Sequence, residues 1–234
     1  MALAVPGAVR PDRALFFRGT MATIISRALT DLAIAPVPSR RAFALTAALT
    51  ERADAVYPTL PGYSDTAPPP FGGLDGGPPE DAPDALRGEA WQFVELPLEA
   101  LEEEAAGVRS GASFGAVFDA RAVMGPAAPP PGAPIPGVAV YSRRALPLAA
   151  WTAGYEVAAV RADTERGCLV LETGVGARWK YAAIPKTAAV NDEAVAWEAA
   201  KAAANGLHFL VVQDGEEADV AGLWLLWDSP PPAV

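Results

Sequence analysis

Cysteine and histidine are almost missing from this chain. Its 234 residues hold one of each, Cys168 and His208. A single thiol excludes a disulfide framework and a thiolate metal cluster, and it fits a reducing compartment. A single imidazole removes His-based zinc and iron sites from consideration. Long apolar runs are missing too, since nothing approaches the roughly 20 residues that a transmembrane helix needs. Met1–Pro11 has neither the length nor the charge of a secretory or organellar presequence, and no transit peptide is visible. No P-loop, glycine-rich nucleotide fingerprint or Ser/His/Asp set stands anywhere in the chain.

Positive charge is the scarcer sign: the formal net charge is −10. It is unevenly spread. Residues 1–64 carry a net +3, residues 65–119 a net −10 and residues 120–234 a net −3. Such a balance argues against coating nucleic acid by bulk charge, yet leaves room for a local basic patch. What the chain has in quantity is apolar side chain, 51% of residues, enough to bury a substantial core.

The last third carries the clearest pattern. Tyr155–Arg161, Cys168–Thr173 and Arg178–Ile184 are short strand-like runs separated by Asp- and Gly-bearing turns, which reads as an antiparallel meander. A helix follows over Asn191–Asn205, with Asn191 or Asp192 as its N-cap and Asn205-Gly206 as its stop. Ala194, Trp197, Lys201 and Ala204 share one face of it, with Trp197 as the anchor against the sheet. Leu207–Gln213 and Val220–Trp227 are apolar on both faces, the mark of central strands covered on both sides.

Upstream, Thr20–Ile34 has helical periodicity, with Met21, Ile24, Ile25, Ala28, Leu29 and Leu32 on one stripe. A second helix is expected from Ser39, as N-cap, to about Val56. Trp91–Leu96 reads as a strand, Leu98–Ala106 as a short acidic helix, and Gly137–Ser142 as a strand leading to a helix near Leu148–Ala153. The fold class expected is α+β, with a mixed N-terminal half and a C-terminal, mostly antiparallel sheet packed by a helix. The expected division is an N-terminal half over 1–121 with a disordered Pro/Gly insertion at about 58–83, a Pro-rich linker at 122–136, and a C-terminal domain over 137–228.

Two stretches point to anion recognition. Val37-Pro38-Ser39-Arg40-Arg41-Ala42 and Val140-Tyr141-Ser142-Arg143-Arg144-Ala145 share the frame V-x-S-R-R-A, each running from an extended residue through Ser into a helix. Guanidinium forks suit phosphate, and a helix N-terminus adds backbone donors. Arginine at that end disfavours the helix itself, so two such junctions hint at an anion; pairing of each with a nearby carboxylate is the alternative. Arg178-Trp179-Lys180-Tyr181 interleaves cations and aromatics. Alternation puts Trp179 and Tyr181 on one face and Arg178 and Lys180 on the other. That is either a base-stacking platform flanked by phosphate contacts or an outer strand with its aromatics packed inward. The candidate RNA-binding residues are therefore Arg40, Arg41, Arg143, Arg144, Arg178, Trp179 and Lys180. Asp163 and Glu172 on neighbouring strands suggest the D…(D/E)-x-K pattern of metal nucleases, but the lysine position is occupied by Gly174. No catalytic or metal-binding residue and no cofactor is expected.

Several further segments join these: Ala85-Leu86-Arg87-Gly88-Glu89-Ala90-Trp91, Pro136–Trp151 with its Val-Tyr-Ser-Arg-Arg-Ala-Leu-Pro-Leu core, Gly206–Gln213 and Ala221–Leu226. Together with Val37–Arg41 they resemble the Tab/Atab family of chloroplast and cyanobacterial RNA-binding translation activators, over about Arg10 to Trp227. The resemblance implies non-catalytic binding to the 5′ leader of mRNAs for photosystem I, and in some plants photosystem II, reaction-centre subunits. It implies a chloroplast stromal setting, with a single-stranded mRNA leader and other chloroplast translation factors as partners. The family's opening Trp-Glu-Leu-Asp-Phe-Tyr-Ser-Arg-Pro type of segment is not found here, so the chain is expected to lack that N-terminal part. Two other functions stay open: a protein-interaction scaffold in photosystem assembly, docking a partner through the acidic and Pro-rich middle, and a metal-dependent nuclease relative. The sequence sets no oligomeric state.

Overall fold

The computed structural model describes residues 9–16, 21–39, 45, 48–49, 51–64, 78–83, 86, 88–174 and 176–228. Its strands are β1 (Arg13–Phe16), β2 (Ala35–Pro38), β3 (Glu80–Asp81), β4 (Ala90–Pro97), β5 (Phe114–Ala116), β6 (Pro134–Tyr141), β7 (Val157–Asp163), β8 (Cys168–Thr173), β9 (Ala177–Ala183), β10 (Leu207–Gln213) and β11 (Val220–Trp227). Its α-helices are α1 (Ala22–Asp31), α2 (Leu98–Ser110), α3 (Ala120–Met124), α4 (Ala145–Ala153) and α5 (Ala188–Ala203). The α+β class expected from the sequence is the class observed.

A five-stranded sheet in the order β4-β6-β10-β11-β5 is the centre of the molecule. It is mixed: β4 and β6 are antiparallel, β6 and β10 parallel, β10 and β11 antiparallel, β11 and β5 parallel. Side-chain alternation divides its strands cleanly between two cores. Val138, Val140, Leu210, Val212, Trp224 and Leu226 face one core, shared with Leu148 of α4, Trp197 of α5 and the apolar face of the second sheet. Ile135, Leu207, Phe209, Leu223, Leu225 and Trp227 face the other, covered by α2 and α3. Both β10 and β11 lie inside the sheet, as expected for strands apolar on both sides.

The second sheet has the order β3-β9-β8-β7. Its β7-β8-β9 part is the antiparallel meander read from the sequence. The strand-strand-strand-helix-strand-strand order of the last third is also as read, but its strands are shared between two sheets, because α5 carries the chain from one to the other. Helix α5 starts at Ala188 rather than Asn191: Thr187 is its N-cap, its hydroxyl accepting from Val190 N at 3.4 Å. Asn205 (φ 55°) and Gly206 (φ 81°) end it in left-handed conformations, as expected. Ala194, Trp197, Lys201 and Ala204 are all buried, and the Trp197 indole donates to Gly137 O at 3.0 Å. On the other face Gly137 makes room for Phe209, since a Cβ there would sit 2.3 Å from its ring.

The Pro-rich stretch at 122–136 does not separate two sheets. Strands β4 and β5 precede it and pair with β6 and β11, which follow it. Backbone hydrogen bonding across a sheet outweighs a local proline signal, and the end of that stretch is itself strand, Pro134–Pro136 opening β6. The far end of the Pro/Gly insertion is likewise built into the fold: Glu80 and Asp81 pair in parallel with Trp179 and Lys180. Near the N-terminus, β1 and β2 form a two-stranded parallel pair joined by α1. No residue of α1 is buried, and Ile24 is 66% exposed. Of the second helix expected over 39–56, residues 45, 48, 49 and 51 are helical and Arg52–Val56 form a π-helical turn. The remainder of that stretch lies outside the described residues. No helix among the described residues is long and apolar enough to cross a membrane.

Candidate nucleic-acid interface

The second Ser-Arg-Arg junction is built as its sequence suggests. Strand β6 ends at Tyr141, Ser142 N donates to Gln213 O at 3.0 Å, and the Ser142 hydroxyl turns back to accept from Arg144 N at 3.1 Å. That turn launches α4 with Arg144 at its N-cap position. The Arg143 side chain is 88% exposed and lies 3.6 Å from Glu89, a long contact between two solvated groups worth little. Arg144 is exposed and has no ion-pair partner among the described residues. Both guanidiniums are thus open to a ligand.

The first junction is described only as far as its serine. Ser39 follows β2 and is buried, like Ser142. Its hydroxyl is used differently, donating to Glu156 Oε1 at 2.6 Å across 117 residues of sequence. Arg40 and Arg41 lie outside the described residues. Ser39 itself lies beside the start of β7 through its bond to Glu156.

That place adjoins a cluster of three aromatic rings. Trp151 in the last turn of α4 meets Tyr155 edge-on at 5.1 Å and Trp179 of β9 edge-on at 5.5 Å, and Tyr155 and Trp179 are 5.9 Å apart. The Trp179 indole donates to Thr173 Oγ1 at 2.9 Å, which fixes its ring. Tyr155 is 39% exposed, while Trp151 and Trp179 are half-buried. The inward-packing alternative for Trp179 and the platform alternative therefore meet in one arrangement: the ring leans on the core and still shows an edge to solvent. Tyr181, on the same face, is fully buried, hydrogen-bonded to Thr152 at 2.9 Å, and burial pushes its phenol pKa up. Tyr155 lies two residues beyond the end of α4, so no helical period announces its meeting with Trp151.

Of the two cations of β9, Arg178 is committed within the protein. Arg178 is mostly buried, with its Nε 3.2 Å from Glu172 Oε1. Glu172 is 2% exposed and also receives Arg161 at 3.2 Å. Arg161 continues to Asp228 at 3.4 Å, and Asp228 meets Lys201 Nζ at 3.4 Å. Burial disfavours the Arg161 charge, and the carboxylates of Glu172, Asp228 and Glu198 overcome this and hold its pKa up. Lys201, 4% exposed, is bound by Glu198 at 2.8 Å and by Val160 O at 3.0 Å, and lies over the Trp197 ring. His208 sits beside this chain of charges, accepting at Nε2 from Val160 N and facing Gly206 O with Nδ1, which therefore carries the proton. Burial, reinforced by the Lys201 charge, lowers its pKa to about 3. Lys180 keeps an exposed ammonium but lies 3.3 Å from Asp81.

The Asp163–Glu172 pair cannot share a metal ion. Asp163 is opposite Cys168 and Glu172 opposite Ala159, four residues apart along β7, or roughly 13 Å. Asp163 is instead bound by Arg166 at 2.8 Å. No group of three or more metal-binding side chains occurs among the described residues.

Exposed arginines at a strand-to-helix turn, a half-exposed aromatic cluster and a buried ionic chain behind it are what the geometry supplies. Comparison with known families adds the decisive fact. The model for the C-terminal domain of the RNA-binding protein Tab2/Atab2 matches residues 70–227, and the model for its N-terminal part matches residues 2–52. The chain belongs to the Tab2/Atab2 family. Among its relatives, "Protein TAB2 homolog, chloroplastic" of Zea mays is 45% identical over 234 residues, all of this chain and 58% of that protein. The protein of the same name in Arabidopsis thaliana is 43% identical over 229 residues, 97% of this chain and 60% of that protein. The chain thus spans about three-fifths of the length of these curated relatives. No solved structure matches it. Membership of this RNA-binding family supports an RNA-binding role.

Proposed function

We propose that this chain is a non-catalytic RNA-binding translation activator that engages the single-stranded 5′ leader of photosystem reaction-centre mRNAs, photosystem I foremost, in the chloroplast stroma alongside other translation factors. Family membership supports RNA as the ligand, and the chloroplastic names of the two relatives support the compartment. The observation that carries the site is the Trp151–Tyr155–Trp179 cluster, which offers ring surface next to Glu156, the partner of Ser39. Bases stack on such rings regardless of sequence, and arginines take the phosphates beside them. The phosphate contacts assigned to the site are Arg143, Arg144 and Lys180, with Arg40 and Arg41 joining from the first junction. Arg178 has a supporting role, holding Glu172 behind the strand.

Crosslinking in a chloroplast extract followed by sequencing of the bound RNA tests this reading. Enrichment of reaction-centre 5′ leaders supports it. Recovery of no RNA above background would overturn it, and cleavage of bound RNA in Mg²⁺ would overturn its non-catalytic part.

A further inference from the structure

A groove enclosing about 840 Å3 runs along the outer edge of β4, between that strand and α5. Every residue from Gly88 to Glu95 lines it. In a strand, successive side chains point to opposite faces, so an unbroken run of lining residues means that the backbone edge itself borders the groove. Strand β4 ends the five-stranded sheet, and its outward row of N–H and C=O groups has no strand partner among the described residues. The opposite wall is one face of α5, with Val190, Glu193, Ala196 and Ala200 at three- and four-residue spacing. Small side chains on that wall leave the width open.

The apolar part of the lining is ordered. Phe93 stacks on Trp197 at 5.2 Å, Trp91 meets Phe93 edge-on at 4.9 Å, and the Trp91 indole is tied to Ala183 O at 2.6 Å. The charge of the groove is of one sign. Its ionisable lining groups are Glu89, Glu95 and Glu193, and neither Glu95 nor Glu193 has a cation partner among the described residues. Three carboxylates repel a phosphate backbone, and Glu89, at one end of the groove, lies 3.6 Å from Arg143. No lysine guards the edge, although that is a common way for exposed strands to discourage pairing.

We propose that this groove is a docking site for an extended, cationic segment of a partner protein, which adds a strand to β4. Backbone hydrogen bonds to the free edge supply affinity. Trp91, Phe93 and Glu95 share one face of β4, with Glu89 in step just ahead of it. The Lys or Arg side chains on that face of the added strand lay their stems over Trp91 and Phe93 and reach Glu89, Glu95 and Glu193. The intervening apolar side chains lie on the other face beside Ala90 and Val94. The proposal does not depend on the RNA reading.

The probe is a fluorescein-labelled octapeptide of alternating Val and Lys, titrated by anisotropy against the whole chain. Binding is expected for this peptide, not for its Val/Glu counterpart, and not for a version methylated on alternate backbone nitrogens. The double variant Glu95→Lys/Glu193→Lys should weaken binding about tenfold, and Ala196→Trp, at an exposed helix position, should block it by filling the groove. Thermal unfolding of both variants should match the parent. Absence of binding by the Val/Lys peptide, equal binding by its N-methylated form, or indifference to both variants would overturn the proposal. Displacement of the peptide by a single-stranded RNA would do so too, by assigning the groove to the RNA surface.

Discussion

Two sets of arginines in this molecule have the same chemistry and opposite fates. Arg161 and Arg178 converge on Glu172, a carboxylate that is 2% exposed, and spend their charge holding it. Arg143 and Arg144 stand on the surface at the start of α4, one with a long contact to Glu89 and the other with no partner among the described residues. A guanidinium that neutralises a buried carboxylate is part of the scaffold, and removing either group exposes the other to a large desolvation cost. A guanidinium in water costs nothing to keep and can exchange its solvent for phosphate. The same distinction separates Tyr181, buried on one strand face, from Tyr155 and Trp179, which keep part of their rings in reach of solvent.

The strongest way to break this comparison is to remove the buried carboxylate. Glu172→Ala should cost about 3–5 kcal/mol of stability, since it removes the buried carboxylate on which Arg178, 16% exposed, and Arg161 converge. Chemical denaturation measures it, and a loss under 1 kcal/mol would mean that solvent reaches the ionic chain. Next in size is the pH dependence that His208 imposes. Its folded pKa is about 3, against an ordinary 6.5, so below pH 6.5 the unfolded chain binds a proton that the folded one refuses. The contribution is complete above pH 6.5 and is lost as pH falls toward 3, at about 1.4 kcal/mol per pH unit. Arg166 hydrogen bonds hold Asp163 below its usual pKa against the burial that would raise it, so its own loss enters only below about pH 4. Denaturation curves between pH 7 and 4.5 should show the slope in the parent and its disappearance in His208→Gln.

On the exposed side the expected effects are smaller and fall on binding. Tyr155→Ala should weaken single-stranded RNA by about 1–3 kcal/mol at every salt concentration if a base stacks on the cluster. Fluorescence titration decides it, and an unchanged Kd would return the cluster to a packing role. The smallest effect is the most diagnostic of the surface arginines. Replacing Arg143 and Arg144 by Ala should flatten the slope of log K against log salt by about 1.4, two phosphates at 0.7 each. Stability should stay within about 0.5 kcal/mol of the parent, as expected for exposed side chains. An unchanged slope would place both arginines outside the RNA contact.

The elements of the C-terminal third were legible because their signals are local. Strands β7 to β9 are bounded by Gly and Asp turns, the stop at Asn205-Gly206 uses left-handed conformations, and the buried stripe of α5 follows from its period. The strong apolar content of β10 and β11 announced central strands for the same reason. Strand β5 and helix α3 were not visible, being three and five residues long and too short to establish a period. The prolines at 126, 129, 130, 131, 134 and 136 suggested a boundary, yet β6 takes in the last two of them, since pairing along all eight residues of β4 outweighs their local preference. On the N-terminal side the period of α1 was read correctly, but burial of its stripe was not implied by it: among the described residues that face stays open.

By itself, then, the sequence determined most of the longer strands and helices, which of their faces are apolar, and which family the chain resembles, because period, turn chemistry and motif order are written in near neighbours. Tertiary structure alone decided which charges are spent and which are free. Arg178 meets Arg161 and Asp228 only through Glu172 and a β-ladder, and Ser39 meets Glu156 across 117 residues. Electrostatic roles depend on distance and burial, and neither quantity exists until the sheets have packed.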